Sequence, residues 1–130
     1  MRALSKSESG QALTEMALVL PLFLLLIFGV IQFGMIGYDY LSVNNGARAG
    51  VRIASVGGDD STVTTAVQQG APGLSASQLS IQITPVYSQR QSGQNVTVTV
   101  SYPVPLIFPL VQGTFPNPLI VSANLTMRME

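Results

Sequence analysis

The stretch MALVLPLFLLLIFGVIQFGMIGY, residues 16 to 38, is the longest apolar run in the chain, and Gln32 is its only strongly polar side chain. A helix needs about 20 mostly apolar residues, at a rise of about 1.5 Å each, to cross the hydrocarbon core of a bilayer. The run is therefore long enough to span a membrane. It leaves residues 39 to 130 as one small folded region.

The composition excludes several classes of function. Only 9% of the 130 residues are charged, with six basic and six acidic side chains, whereas soluble proteins average about 25%. Because the charges cancel, no basic field attracts nucleic acid. The chain has no His and no Cys, so the usual catalytic base, thiol nucleophile and zinc ligands are missing. We expect no catalytic residue, metal, cofactor, disulfide or small-molecule substrate.

Three kinds of N-terminus compete for the apolar run: a cleaved secretory signal, an ordinary signal anchor and a prepilin-type leader. A secretory signal has an apolar region of about 7 to 15 residues followed closely by a small-x-small site. Here the run is longer, and the nearest such site, residues 47 to 49, comes about ten residues after it. Arg2 and Lys6 precede the run and Asp39 is the first charge after it, which predicts a cytoplasmic N-terminus and an extracytoplasmic C-terminal domain.

An acidic residue stands at the start of the apolar run. Gly10 ends a short, polar, net-basic segment, Gln11 follows, and Glu15 is the fifth residue beyond Gly10. A carboxylate in a bilayer costs free energy, so such residues tend to be paired or functional. The alternative is an acid in the first turn of a helix capped by Ser9 or Thr14, which gains about 0.3 to 1 kcal/mol from the helix dipole.

Proline and glycine interrupt the apolar helix. Pro21 removes a backbone hydrogen bond, so it indicates either a bend that loosens on packing or a kink that neighbours tolerate. Small residues let helices approach closely. The candidate packing positions are Gly29, Gly34 and Gly37 in the second half of the span, and Gly46 and Gly50 just beyond it.

The helical pattern continues past the membrane run. Apolar residues recur at roughly helical spacing until two adjacent glycines end the pattern, which predicts one long helix; these residues are Leu41, Ala47, Val51 and Ala54, followed by Gly57 and Gly58. Asp59 and Asp60 then precede a short helix that stops at Gly70. One of these acids or Ser61 is the expected cap of this helix. A cation site is less favoured, because a hard cation wants about six oxygens and nothing nearby supplies them.

Three later runs alternate between apolar and polar residues, which predicts strands with one covered face. They are residues 79–83, 95–102 and 119–127, and residues 89–94 form a hairpin loop between the first two. The long helix is the expected cover. Residues 103–118 contain five prolines among apolar side chains, which predicts an ordered loop without regular structure. This loop contacts a partner, lies on a membrane surface, or folds over the sheet end as core.

The predicted fold is α+β. A long N-terminal helix, transmembrane in its first half, packs on a small antiparallel sheet of about three strands, with one short extra helix. The predicted organisation is a leader (residues 1–10), a transmembrane helix (11–38), its extracytoplasmic continuation (39–57) and a small domain (58–130).

Three segments together resemble a known family. They are GQALTEMALVLPLFLLLIFGVIQFG (residues 10–34), GARAGVR (46–52) and ANLTMRME (123–130). With Gly10 and Glu15 in register, the chain resembles the TadE-family pseudopilins, minor pilin-like components of the tight-adherence (Tad, or Flp) pilus system. The N-terminal segment is the specific part. Met16 departs from the pattern, since Flp-type pilins usually have Tyr there and TadE-like proteins often an aromatic residue.

The resemblance implies processing and assembly. A prepilin peptidase would cut after Gly10 and leave Gln11 as the new N-terminus, whose amine would meet Glu15 of a neighbouring subunit. The implied partners are that peptidase, other pilin or pseudopilin subunits and the membrane, and the implied location is the cytoplasmic membrane, with entry into a surface pilus. The alternatives are a signal-anchored extracytoplasmic binding or scaffold module that never enters a filament, and a pseudopilin of a secretion or DNA-uptake apparatus.

Overall fold

The computed structural model describes residues 4 to 130, with side chains from residue 8 onward. The first three residues of the predicted leader, including Arg2, lie outside the described residues. The chain divides into two compact units, Met1–Gly34 and Met35–Glu130. In order, the elements are helix α1 (Leu4–Ser55), helix α2 (Asp60–Gly70), strand β1 (Ser80–Thr84), a 3-10 turn (Tyr87–Gln89), strand β2 (Asn95–Val104), helix α3 (Pro109–Gln112) and strand β3 (Leu119–Arg128). The predicted α+β class is confirmed.

The paired glycines end α1, as predicted. The backbone N–H of Gly58 donates to the carbonyl of Ile53 at 3.0 Å, and that of Gly57 donates to Ala54 at 3.2 Å. This nested pair is a Schellman motif, which needs a residue with positive φ at its inner position. Gly57 supplies it with φ +87°.

Asp59 starts α2. Its carboxylate accepts a hydrogen bond of 2.8 Å from the backbone N–H of Thr62 and one of 3.1 Å from the Ser61 hydroxyl. The hydrogen bonds from Thr62, followed by that from Ser61, lower the pKa of Asp59. A lowered carboxyl pKa means that the cap stabilises the fold fully above the ordinary pKa and loses this effect as the pH falls through the lowered value.

The sheet has the order β1-β2-β3, and both pairings are antiparallel. All three predicted strands are present within a residue or two of the expected bounds. Strand β2 runs further than predicted and includes Pro103. Proline is tolerated there because β1 pairs with β2 only as far as Ser101, so that part of β2 has a neighbour on one side only.

The core of the second unit lies between α1, α2 and one face of the sheet. Alternate β2 residues, from Val96 to Val104, face the helices, together with Val63 and Val67 of α2. The α1 residues in this core are Val43, Ala47, Val51 and Ala54. The prediction that the long helix covers one face of the sheet is therefore confirmed. The expectation for Leu41 is wrong, because its side chain is exposed and Val43 takes the inward position.

A buried arginine joins the start of α2 to the turn after β1. The Arg90 side chain is only 2% exposed. Its guanidinium donates to the carbonyl oxygens of Gly58 at 2.7 Å and Pro85 at 3.0 Å, and forms an ion pair with Asp60. The other Asp60 oxygen accepts from the backbone N–H of Tyr87 at 3.3 Å, and the Tyr87 ring lies under the guanidinium. One cation therefore holds two separate chain segments together, residues 58–60 and residues 85–90.

The proline-rich connection between β2 and β3 is more regular than predicted, since it contains the four-residue helix α3. Leu106 of this connection is buried. Its backbone N–H donates to the Asn117 side chain at 3.2 Å, and its carbonyl accepts from the Gln112 side chain at 2.7 Å. Two side-chain amides thus hold the connection in one conformation.

We predict that Arg90→Ala destabilises the second unit by about 2 to 3 kcal/mol. Removing one partner of a fully buried ion pair costs about 3 to 5 kcal/mol. The cost here is expected at the lower end of that range or below it, because Asp60 is partly exposed and water can solvate the carboxylate that is left. The substitution also leaves the carbonyls of Gly58 and Pro85 without their donor. Chemical unfolding of the purified full chain in detergent measures the effect. Arg52→Ala, at an exposed position on α1, is the control and should change stability by less than about 0.5 kcal/mol. Equal effects would contradict the role given to Arg90.

Candidate functional site

Gly10, Gln11 and Glu15 lie on the exposed first part of α1. The Gly10 carbonyl accepts a hydrogen bond of 2.8 Å from the Thr14 hydroxyl one turn later. The side-chain amide of Gln11 approaches the Glu15 carboxylate at 3.4 Å. Because α1 begins at Leu4, Thr14 and Ser9 lie inside the helix, and Glu15 is not in its first turn. The expectation of a helix cap at either residue is therefore wrong for the uncut chain.

Cutting the Gly10–Gln11 bond would change the chemistry of this helix end. Gln11 would gain a free α-amino group, and the carboxylate four residues later would lie on the same side of the helix. Amine and carboxylate would then be available for an ion pair, within one chain or between two. Neither partner is shielded, because both side chains are exposed in the single chain.

The apolar run follows this site. Within residues 8–130, α1 is the one helix that is long and apolar enough to cross a membrane. Its large apolar side chains in the run are almost all exposed, among them Leu18, Leu22, Leu26, Val30 and Phe33. Only lipid or another apolar surface gives such side chains a favourable environment. The chain is therefore a candidate single-pass membrane protein. α1 is continuous across Pro21.

The five candidate packing glycines fall into two groups. An added methyl group at Gly29, Gly34 or Gly37 would meet no atom within 4 Å, so these positions are open. At Gly46 it would lie 2.9 Å from the carbonyl oxygen of Val67, and at Gly50 it would collide with the Val67 side chain. Gly46 and Gly50 therefore form the surface on which α2 lies.

Sequence reasoning missed two residues of this second unit. Gly70 ends α2, as predicted, but its second role was not: a methyl group there would come within 2.8 Å of Ala49 and 3.1 Å of Gly46. It is the point where α2 meets α1. Arg90 was placed in a hairpin loop. The available signal was that Arg90 is the one basic residue between Arg52 and Arg128, and that Asp59 and Asp60 are the acids in the same part of the sequence. Sequence spacing does not show which acid an arginine meets.

The described residues hold no group of three or more His, Asp or Glu side chains suited to a metal ion. Asp59 is used as a helix cap and Asp60 as the partner of Arg90. A shallow groove beside α2 is lined by uncharged side chains, namely Ile53, Ser61, Thr62, Thr65, Ala66 and Gln69. Such a lining offers hydroxyl and amide groups without a base to activate them.

The fold and the site define a class of protein: a small α+β domain carried by a long N-terminal helix whose first part is suited to a membrane and bears a Gly-x4-Glu motif. Residues 10–52 match the family model described as TadE-like protein. The match contains the Gly10–Glu15 motif, the apolar run and the Gly46–Gly50 pair, and it confirms the resemblance seen in the sequence. No curated protein and no solved structure matches the chain.

We predict that Gly50→Ala destabilises the second unit by about 1 to 2 kcal/mol. Overpacking a core costs about 1 to 3 kcal/mol, and the better helix propensity of Ala offsets about 0.5 to 1 kcal/mol of this. Gly37→Ala is the matched control on the same helix, since its methyl group meets nothing; it should leave stability unchanged or slightly raised. Unfolding midpoints of both variants, measured on the full chain in detergent, decide the question. A destabilisation by Gly37→Ala as large as that by Gly50→Ala would refute the assignment.

Proposed function

We propose that this chain is a minor, pilin-like subunit of a Tad- or Flp-type pilus, cut by a prepilin peptidase after Gly10 and acting in pilus assembly and surface adhesion. The observation that carries the proposal is the spacing of Gly10 and Glu15 at the start of an apolar helix, inside the segment that matches the TadE-like family model. The proposal assigns no catalytic step, and the absence of His and Cys from the sequence supports this.

The position of Gly10 favours processing. It lies on an exposed part of the chain, just before the apolar run, where an enzyme working at the membrane surface can reach it. Arg2 and Lys6 precede it, so the positive-inside rule favours a cytoplasmic leader and an extracytoplasmic C-terminal domain. The leader and its positive charges would leave with the cut, and the mature helix would begin at Gln11.

Removal of the leader favours association through Glu15. In lipid an unpaired carboxylate is unfavourable by a few kcal/mol. The amine of Gln11 on a neighbouring subunit would supply the opposite charge, and the exposed apolar side chains around both groups would pack against that neighbour. The weak contact of 3.4 Å between the Gln11 and Glu15 side chains leaves the carboxylate free to exchange its partner. Assembly would therefore pair the Glu15 carboxylate and bury the apolar side chains around it.

We predict that Gly10→Ala blocks processing. Co-expression of the unaltered chain with its cognate prepilin peptidase should give a mature chain that starts at Gln11, detected by intact-mass analysis. Gly34→Ala is the control, because a methyl group meets no atom within 4 Å at either glycine. Neither substitution should disturb folding, so a selective loss of cleavage reports recognition of Gly10.

An unaltered chain that keeps its leader beside active peptidase would refute the pilin proposal. That outcome would favour the signal-anchored scaffold module. Cleavage of Gly10→Ala at the normal rate would show that the peptidase does not read this position.

We predict that Glu15→Ala and Glu15→Gln are cleaved normally but are strongly reduced in surface filaments sheared from cells. Gln keeps the size of the side chain and removes its charge, so it separates the ion pair from packing. Glu8→Gln is the control: it removes an exposed acid from the same helix, but this acid leaves with the leader. Immunoblots of sheared filaments and of membranes measure the distribution. Equal recovery of all variants in filaments would exclude a role for the Glu15 charge in assembly.

A further inference from the structure

We propose that the connection between β2 and β3 is a second membrane contact, which lies on the lipid surface beside the point where α1 leaves the bilayer. This connection, residues 105 to 118, is called the apical loop below. The partner we infer is the lipid bilayer itself. The inference requires α1 to cross the membrane, but it does not require the chain to enter a pilus.

Contacts within the second unit place the apical loop at the Tyr38 end of α1. At the other end, the backbone N–H of Glu130 donates to the Ser55 carbonyl at 3.0 Å, just past the end of β3. Near Tyr38, the phenol donates to the Pro72 carbonyl at 3.2 Å. The neighbouring Ser75 N–H donates to the phenol oxygen of Tyr102 in β2 at 3.4 Å. Tyr38 and Tyr102 therefore lie at the same level of the unit.

The lengths of the helix and the strand agree with this placement. From Ser55 to Tyr38 α1 rises about 26 Å at 1.5 Å per residue. From Gln94, which pairs with Met129 beside that same end, to Tyr102 a strand rises about 27 Å. The apical loop begins beyond Val104, about 7 Å further in the same direction. Since the apolar run of the sequence ends at Tyr38, the loop reaches the level of the lipid head groups.

The apical loop presents apolar side chains outward. Leu110 is 65% exposed, Phe115 55% and Ile107 49%. Such side chains are unfavourable in water, and a short segment with Phe, Leu and Ile can bury itself about 5 to 10 Å into the boundary between head groups and acyl chains. The loop is also held in shape by the bonds of Asn117 and Gln112 to Leu106. Binding to lipid therefore requires little further ordering.

Charge favours lipid over a protein partner. No charged residue occurs between Arg90 and Arg128 in the sequence, so the apical loop offers no charged group that could pair with a charge on a protein partner. Tyr38 and Tyr40, both about half exposed, stand where the apolar run ends. Tyrosine is enriched at the boundary between membrane and water. The apical loop and these tyrosines would lie in one interfacial layer.

Tryptophan fluorescence tests the inference, because the natural sequence contains no Trp. The full chain carrying Phe115→Trp is reconstituted in phosphatidylcholine vesicles with or without brominated acyl chains, which quench nearby Trp. Tyr87→Trp is the matched control: Tyr87 is 53% exposed, like Phe115, but it lies beside Asp60 at the Ser55 end. Leu110→Trp is a second probe of the loop, in case Phe115→Trp disturbs folding.

We expect several-fold stronger quenching for Phe115→Trp and Leu110→Trp than for Tyr87→Trp, with emission shifted to shorter wavelength. Equal, weak quenching at all three positions would overturn the inference and leave the loop in water. A shifted emission without quenching would also overturn it, since a protein surface such as a second copy would then cover the loop. Flotation of each variant with the vesicles tests the anchor separately, and neither readout depends on cleavage at Gly10.

Discussion

One helix has to satisfy two environments, and the rest of the structure follows from how its residues are distributed. Along the apolar run, α1 is apolar on almost every side. This suits a helix in lipid, because acyl chains would contact it from all directions. Beyond Tyr38 the apolar residues narrow to one side, and the sheet and α2 cover that side. The change from all-round to one-sided apolarity falls within a single continuous helix, where the run that is long and apolar enough to cross a membrane ends.

Regular patterns made most of the fold predictable from sequence. The apolar run, the strand alternation and the glycine pair at residues 57 and 58 each depend on local spacing, and each led to the right element. Leu41 was misjudged because it lies six residues before Ala47, which is not a helical repeat. Val43 completes the spacing of four, four and three with Ala47, Val51 and Ala54. The extension of β2 through Pro103 was missed because it depends on where the neighbouring strand ends.

The contacts that were not predictable are those between distant segments. Nothing near Arg90 in the sequence indicates that it meets Asp60 and two backbone carbonyls, since thirty residues separate the ion pair. The Gly46–Gly50 pair is a similar case. Its spacing indicates a packing surface, but it does not indicate that α2 is the element that packs there. The candidate site differs in kind. The spacing of Gly10 and Glu15 in the sequence was enough to find them. The roles proposed for them, cleavage by a peptidase and an ion pair with a neighbouring subunit, involve other molecules and so cannot be read from the contacts of one chain.

The contact of α2 with Gly46 and Gly50 also limits how copies of this helix can adjoin one another. The small residues on that side would allow a second helix to pack closely, but α2 of the same chain already occupies this position. The side of α1 that remains accessible carries Leu41, Arg48 and Arg52, all exposed. A symmetric pairing of this side with itself would bring guanidinium groups of equal charge together. Electrostatic repulsion therefore opposes such a self-pairing of residues 41 to 52.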